Sequence, residues 1–495
     1  MHSKRNRIRL GLTAALFQSV ATAASAQGQG TLIDSLRRLA PSIERPALRE
    51  VRAVVLPDSA KPTNRRLALE FRQALQNDPE YQSAIAERDG GVENLDQALA
   101  ALLPQISATA QRSVNDTDST SQTSLGPVER SFNNYPAYNV NVQVRQALYR
   151  PKSWANLAVG RAQSELSELR LLAARQDLAV RLLSIHADWS FAAASATTAE
   201  GLIAIHERLF AYAQRQFEAG DSTRTEVEVA RAKLEQAKSQ LAEAKASRAS
   251  AQLAWEQITG ITPQNASHFL PLLLSDQVAE VLPPTLPALT RLRESALSTN
   301  PLIRAQKTAL VAAREALRRA QAERQPAADL YASRSQSKSA LDNTIGTEFR
   351  TTQIGVQVTV PIYSGGAIDS GVRQAEAGVR RAESELNTTT ARLRLQIERD
   401  WHGLDAARIE AAAQRQVGAA MRLVAETAVR GRMAGIAARG EEEQATIQLL
   451  TAQKSLSAAN ARALVFWGRL VAALGTLDAD ILDDLDQRVA TGATN

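Results

Sequence analysis

The chain repeats itself, and that duplication constrains the fold more than any other feature, because self-similarity at a long period marks one supersecondary unit used twice. Pro79 and Pro301 lie 222 positions apart, as do Pro104 and Pro326, so the stretch between the prolines is equally long in both copies. Asn77-Asp78-Pro79 opens one stretch and Asn300-Pro301 the other. Farther on, Val142-Gln143-Val144 and Tyr149 recur 214 positions later as Val356-Gln357-Val358 and Tyr363, and Asp188-Trp189 recurs 212 positions later as Asp400-Trp401. Arg215, Gly220 and Gly260 then recur at an offset of 215 as Arg430, Gly435 and Gly475. The offset falls after the first helices because the first copy has the longer loop. The repeats span 64–260 and 288–477, joined by a linker at 261–287 that Pro263, Pro271, Pro283, Pro284 and Pro287 keep irregular, and followed by a tail at 478–495.

Ahead of the repeats, Lys4, Arg5, Arg7 and Arg9 form a basic start, Leu10 to Ala21 a short apolar run, and Ala24-Ser25-Ala26 a small-residue cleavage pattern. This reads as a signal peptide at 1–26, with the mature chain starting at Gln27. Residues 27–63 form an extension that matches neither copy. Loss of the four basic signal residues takes the net charge from +6 to +2, which removes the support that a high pI would lend to nucleic-acid binding. The absence of cysteine excludes disulfides, thiolate metal sites, cysteine nucleophiles and a lipid-modified cysteine. His2, His186, His206, His268 and His402 are scattered without metal-ligand spacing. No cofactor, metal site or enzymatic activity is expected.

Within each copy the hydrophobic period changes twice. A helical pattern from about Arg65 ends at Pro104, and alternation then begins: Ile106, Ala108 and Ala110, and beyond a Ser/Thr/Asp/Asn-rich loop Val140, Val142 and Val144, each separated by polar residues. Strands are expected at about 105–115 and 138–149, and in the second copy at about 327–335 and 353–362. Apolar on one face and polar on the other, they suit a transmembrane barrel with a wet lumen. Tyr135, Tyr138, Tyr149, Tyr331 and Tyr363 in or beside the strands are candidates for an interfacial aromatic girdle. Four strands cannot close a barrel, and an open edge in lipid leaves backbone groups unpaired. Three copies, giving twelve strands, leave a bore that two would fill with side chains.

Each second strand leads into a long stretch free of proline, about Lys152 to Ala219 and Ala367 to Ala434, and each returning helix carries a heptad seam. Val227, Leu234 and Leu241 recur every seven residues beside Ala230, Ala237, Ala244 and Ala251, and Leu449 and Leu456 beside Ala445, Ala452 and Ala459. The expected fold is mainly α with a β-barrel part: a duplicated helix-strand-strand-helix unit with a coiled-coil tunnel.

With these residues assembled, the chain after about Arg65 resembles the TolC family of outer-membrane channels. The resemblance rests on Leu102-Leu103-Pro104-Gln105, Pro361-Ile362-Tyr363-Ser364-Gly365-Gly366 and Ala473-Leu474-Gly475-Thr476-Leu477. It implies a homotrimer in outer-membrane lipid, with helices in the periplasm, serving a periplasmic membrane-fusion adaptor and an inner-membrane ABC or RND transporter. The expected function is an export duct, with type I protein secretion favoured over drug or metal efflux. A periplasmic coiled coil without a pore is the reading from another class.

The resemblance also implies that the helix tips, Arg215 to Glu228 and Arg430 to Gln444, form an acid-ringed periplasmic entrance. Family aspartates fall here at Glu226, Glu441 and Gln444, with Glu228, Glu442 and Glu443 alongside. Acids in the first turn of a helix also stabilise its dipole, so gate and cap readings both stand for these residues. The family's locking arginine is replaced by Ala437, which leaves Arg432 or Arg439, with Gln444, as candidate locking residues. Gly220, Asp221, Ser222 and Gly435 are the expected adaptor-docking positions.

Overall fold

Asp78 and Asn300 stand just ahead of a proline at the first position of a helix, where the missing proline N–H costs nothing. Each side chain caps the helix that follows: Asp78 accepts from the Tyr81 amide, and Asn300 from the amides of Leu302 and Ile303. The stretch expected as one helix from Arg65 is therefore two, α1 (Arg66–Asn77) and α2 (Pro79–Ala100), because proline disfavours helical backbone in the residue before it. The second copy makes the same break between its own two helices, and Pro79–Ala100 and Pro301–Ala322 both run for 22 residues.

The structure is a computed structural model describing residues 66–124, 126–260, 282, 288–339, 348–433 and 439–492. Residues Asn64–Asn495 form one compact unit. The signal peptide, the 27–63 extension, most of the 261–287 linker and Gly435 lie outside the described residues. After α2 come β1 (Gln105–Thr123), β2 (Gly126–Tyr149), α3 (Pro151–Glu218) and α4 (Arg224–Thr259). The second copy supplies α5 (Leu289–Thr299), α6 (Pro301–Ala322), β3 (Ala327–Ser339), β4 (Glu348–Thr359), α7 (Ala367–Met433) and α8 (Arg439–Ala473), and α9 (Ala479–Gly492) closes the chain. None of the described helices is long and apolar enough to cross a membrane.

The four strands form one antiparallel sheet in the order β1-β2-β3-β4. Its two outer edges, on β1 and β4, have no partner strand among the described residues. The first hairpin is longer than its alternation predicts, since β1 and β2 stay paired from Gln105↔Arg145 to Thr123↔Gly126. The polar stretch expected as a loop is strand because its side chains bond across the ladder. Thr117 and Tyr135 hydroxyls meet at 2.8 Å, the Asn134 amide donates to Asp116 at 2.5 Å, and Ser131 donates to Asp118. Polar residues on both faces erase the period-two signal without weakening the backbone pairing.

The candidate girdle tyrosines do not share one face of the sheet. Register places Tyr138 and Tyr149 on the apolar face, opposite Lys338 and Ala328, while Tyr331 lies on the polar face. There its ring covers Gly355, whose added Cβ would sit 2.8 Å from the Tyr331 hydroxyl. Tyr363 lies beyond β4 and is 89% exposed.

The main core gathers helices of both repeats. Leu178, Leu182 and Leu183 of α3, Trp255 of α4, Ile397 and Leu404 of α7, and Leu464, Trp467 and Leu470 of α8 are all buried. Leu282, the one described residue of the linker, is buried with them. The heptad seam packs as its spacing predicts: Leu234, Ala237, Ala244 and Ala251 are buried on α4, and Ala445, Ala452, Leu456 and Ala459 on α8. Alanine on this line allows close helix approach.

The residues expected as a tail at 478–495 include a structural helix. Leu482 and Leu485 of α9 enter the core, and Asp486 accepts from the Leu67 amide of α1 at 2.7 Å. Beside it Glu70 of α1 lies 2.6 Å from His186 Nε2 and accepts from Trp255 Nε1 at 3.3 Å, so four helices meet around buried carboxylates. Burial pushes the Asp486 carboxyl up to about 7, with Glu70 adding to the effect. His186 thus has an acidic partner, one too distant in sequence for any spacing to show.

Candidate functional site

The first tip is a compact turn whose geometry follows from its residues. Gly220 takes φ +84, a left-handed conformation that glycine adopts without a Cβ penalty. The Asp221 amide reaches back to Gln216 O at 2.9 Å and the Gly220 amide to Phe217 O at 3.0 Å, which satisfies the last carbonyls of α3. Thr223 then caps α4 by accepting from the Glu226 amide, and Ser222 donates to the Glu226 carboxylate at 2.5 Å. Glu226, Glu228 and Asp221 are all exposed. A groove between α3 and α4 beside this tip is lined by His206, Tyr212, Glu226, Val229 and Lys233. Burial lowers the pKa of His206, and the positive charge of Lys233 pushes it the same way.

The described residues on either side of the second tip form ion pairs. Arg432, at the end of α7, pairs with Glu442 in the first turn of α8. Glu443 is buried and faces Arg208 of the first repeat, with Arg208 Nε 3.6 Å from its carboxylate. Glu441 and Gln444 are exposed, and Arg439 opens the helix.

Three consecutive residues on a helix point about 100° apart, so Glu441, Glu442 and Glu443 do not share one surface. One faces solvent, one is tied to its own hairpin, and one is packed against the other copy. Arg208 was not among the residues singled out from sequence. It lies 235 positions before Glu443 and occurs in no motif, so only packing brings the two together.

At the opposite end of the long helices, Arg145 of β2 donates to Asp329 of β3 through Nε at 3.1 Å and Nη2 at 2.6 Å. Arg150, which directly precedes α3, pairs with the same carboxylate. The pairs tie the base of the sheet to the start of the tunnel helix.

A sheet with one apolar face and two edges unpaired among the described residues, joined to 67- and 68-residue helices that pack against returning helices with small-residue seams, defines a channel-forming protein of the barrel-and-tunnel class. The chain belongs to the outer membrane efflux protein family, whose model matches residues 71–261 and 292–476. It is 29% identical over 426 residues to the alkaline protease secretion protein AprF of Pseudomonas aeruginosa, covering 86% of this chain and 87% of that protein. With the proteases secretion protein PrtF of Dickeya chrysanthemi it shares 26% identity over 334 residues, 66% of this chain and 70% of PrtF. Among solved structures, the outer membrane protein VceC of Vibrio cholerae has the same fold, with a TM-score of 0.66 at 18% identity, covering 83% of this chain and 96% of VceC.

Proposed function

We propose that three copies of this chain close a twelve-stranded barrel in the outer membrane and extend a helical tunnel into the periplasm, as the exit duct of a tripartite secretion system. The sheet carries this reading. Its alternating faces suit lipid outside and water inside, and its β1 and β4 edges need partners that a neighbouring copy supplies. At about 1.5 Å per residue, the 68 residues of α3 reach on the order of 100 Å, well beyond a bilayer. The duct is passive, with energy supplied by an inner-membrane ABC or RND transporter through a periplasmic adaptor.

Type I protein secretion is the favoured cargo class, supported by the two relatives named for protease secretion. Drug or metal efflux is the alternative, supported by the family's description. The tips form the periplasmic entrance. Arg432–Glu442 and Arg208–Glu443 hold the first turn of α8 against α7 and α3, and exposed Glu226 and Glu441 present carboxylates that attract cations to the mouth. Gly220, Asp221 and Ser222 form the turn on which an adaptor docks, and Gly435 is the matching sequence position in the second repeat.

Reconstitution of the purified protein in planar bilayers, beside a heat-dissociation gel, tests the duct. A heat-modifiable trimer with single-channel conductance is expected, and absence of both returns the chain to a structural coiled coil. In the same bilayers Glu441→Gln weakens block by multivalent cations; unchanged block would reduce Glu441 to a helix-capping charge. Crosslinked copurification identifies which transporter and adaptor are captured.

A further inference from the structure

The outward face of the sheet changes character along the strands. Nearest the helices it is apolar: Ile106, Val144, Ala332 and Ile354 form one cross-strand row. The next outward row is Ala108, Val142, Arg334 and Thr352, followed by Ala110, Val140, Gln336 and Arg350, and then by Arg112, Tyr138, Lys338 and Glu348. Four basic residues thus stand on the same face as the valines, in three successive rows at the end away from the helices. All four are exposed. Only Arg350 has an acidic partner among the described residues, with its Nε 2.9 Å from Glu348.

A cation on the lipid-facing side of a barrel costs about 2–4 kcal/mol at the bilayer midplane but only about 0–1 near the interface, so this position belongs at headgroup depth. Long Arg and Lys stems cover apolar surface while their charged heads reach toward the interface. Arg334, between Val142 and Thr352, has the geometry for this. The rows lie toward the hairpin ends, which in the duct reading face the cell exterior.

We propose that Arg112, Arg334 and Lys338, with Arg350 at their margin, form a binding site for the phosphate groups of the anionic glycolipid in the outer leaflet, one site on each copy. The inference rests on the outer-membrane duct reading for its orientation. Two features select this occupant. The patch continues directly from the apolar band, which places it where acyl chains meet headgroups. Its four basic side chains against one carboxylate complement phosphate, and the guanidinium groups match phosphate in bidentate geometry.

The test uses the full-length trimer in detergent, with binding of bis-phosphorylated lipid A, its dephosphorylated form and phosphatidylethanolamine measured by native mass spectrometry. Bis-phosphorylated lipid A is expected to bind in preference to both others. Combining Arg112→Gln, Arg334→Gln and Lys338→Gln lowers that affinity on the order of a hundredfold, from about one kcal/mol per basic residue near an anionic surface. Arg112→Lys with Arg334→Lys keeps the charge and retains binding, and Glu348→Gln strengthens it, so the site stays testable even where the triple variant assembles poorly. Equal binding of phosphorylated and dephosphorylated lipid A, or an unchanged affinity in the triple variant, overturns the site. Conductance recorded on the same preparations separates the readings: conductance without phosphate-dependent binding defeats only the lipid site, whereas loss of both trimer and conductance defeats the duct.

Discussion

The two repeats agree at their bases and diverge at their tips. At the bases, Gly260 and Gly475 both take left-handed backbone, with φ +72 and φ +76. Each ends its returning helix against the junction of the first two helices of its own repeat. Asn77 donates to Thr259 O at 2.7 Å, and Asn300 donates to Ala473 O at 2.9 Å. At the tips, the first turn is held by backbone bonds and a cap, whereas the described residues flanking the second tip form ion pairs, one of which reaches across to the other repeat. The geometry that closes each helical unit was retained in both copies, while the surface at the proposed entrance diverged.

The largest expected departure from this symmetry comes from α9, which packs on α1. Asp486 in the folded chain binds its proton well above the ordinary carboxylate range, at about 7. The associated stability is complete below about pH 4 and is lost as pH rises through about 7, a span on the order of 4 kcal/mol. The heat-dissociation temperature therefore falls between pH 5 and pH 8, and Asp486→Asn flattens the fall. An equal slope in the variant would place the proton elsewhere.

Matched substitutions at the bases test the symmetry itself. Gly260→Ala and Gly475→Ala each impose a strained backbone costing about 1–2 kcal/mol, and the added methyl meets Asn77 at 3.0 Å in one and the Pro301 ring at 2.9 Å in the other. Similar losses in denaturant midpoint are expected; a loss confined to one copy would show that the other has relaxed. At the tips the effects are unequal. Glu442→Gln removes the Arg432 pair and raises resting conductance, whereas Glu226→Gln leaves it near the parent value. Thr223→Ala costs about 1 kcal/mol through the lost cap and leaves conductance unchanged.

Much of this was legible in the chain before folding. Proline spacing gave the matched 22-residue helices, strand alternation gave the faces, and the alanine heptads gave the packed seam. The strand ends beyond Asn115 were hidden because threonine, serine and aspartate occupy both faces there. The tip acids were legible as a cluster, but their separation into exposed Glu441, paired Glu442 and buried Glu443 was not.

The sequence by itself determined the duplication, through matched prolines and glycines, and the main helices and the apolar and polar faces of the sheet, through periods of two to seven residues. Only the tertiary structure decided that Glu443 meets Arg208, that Glu70 meets His186, and that the last helix belongs to the core. These partners, with Asp486 of the last helix against Leu67, lie from 116 to 419 positions apart, where no local period connects them and packing alone selects the contact.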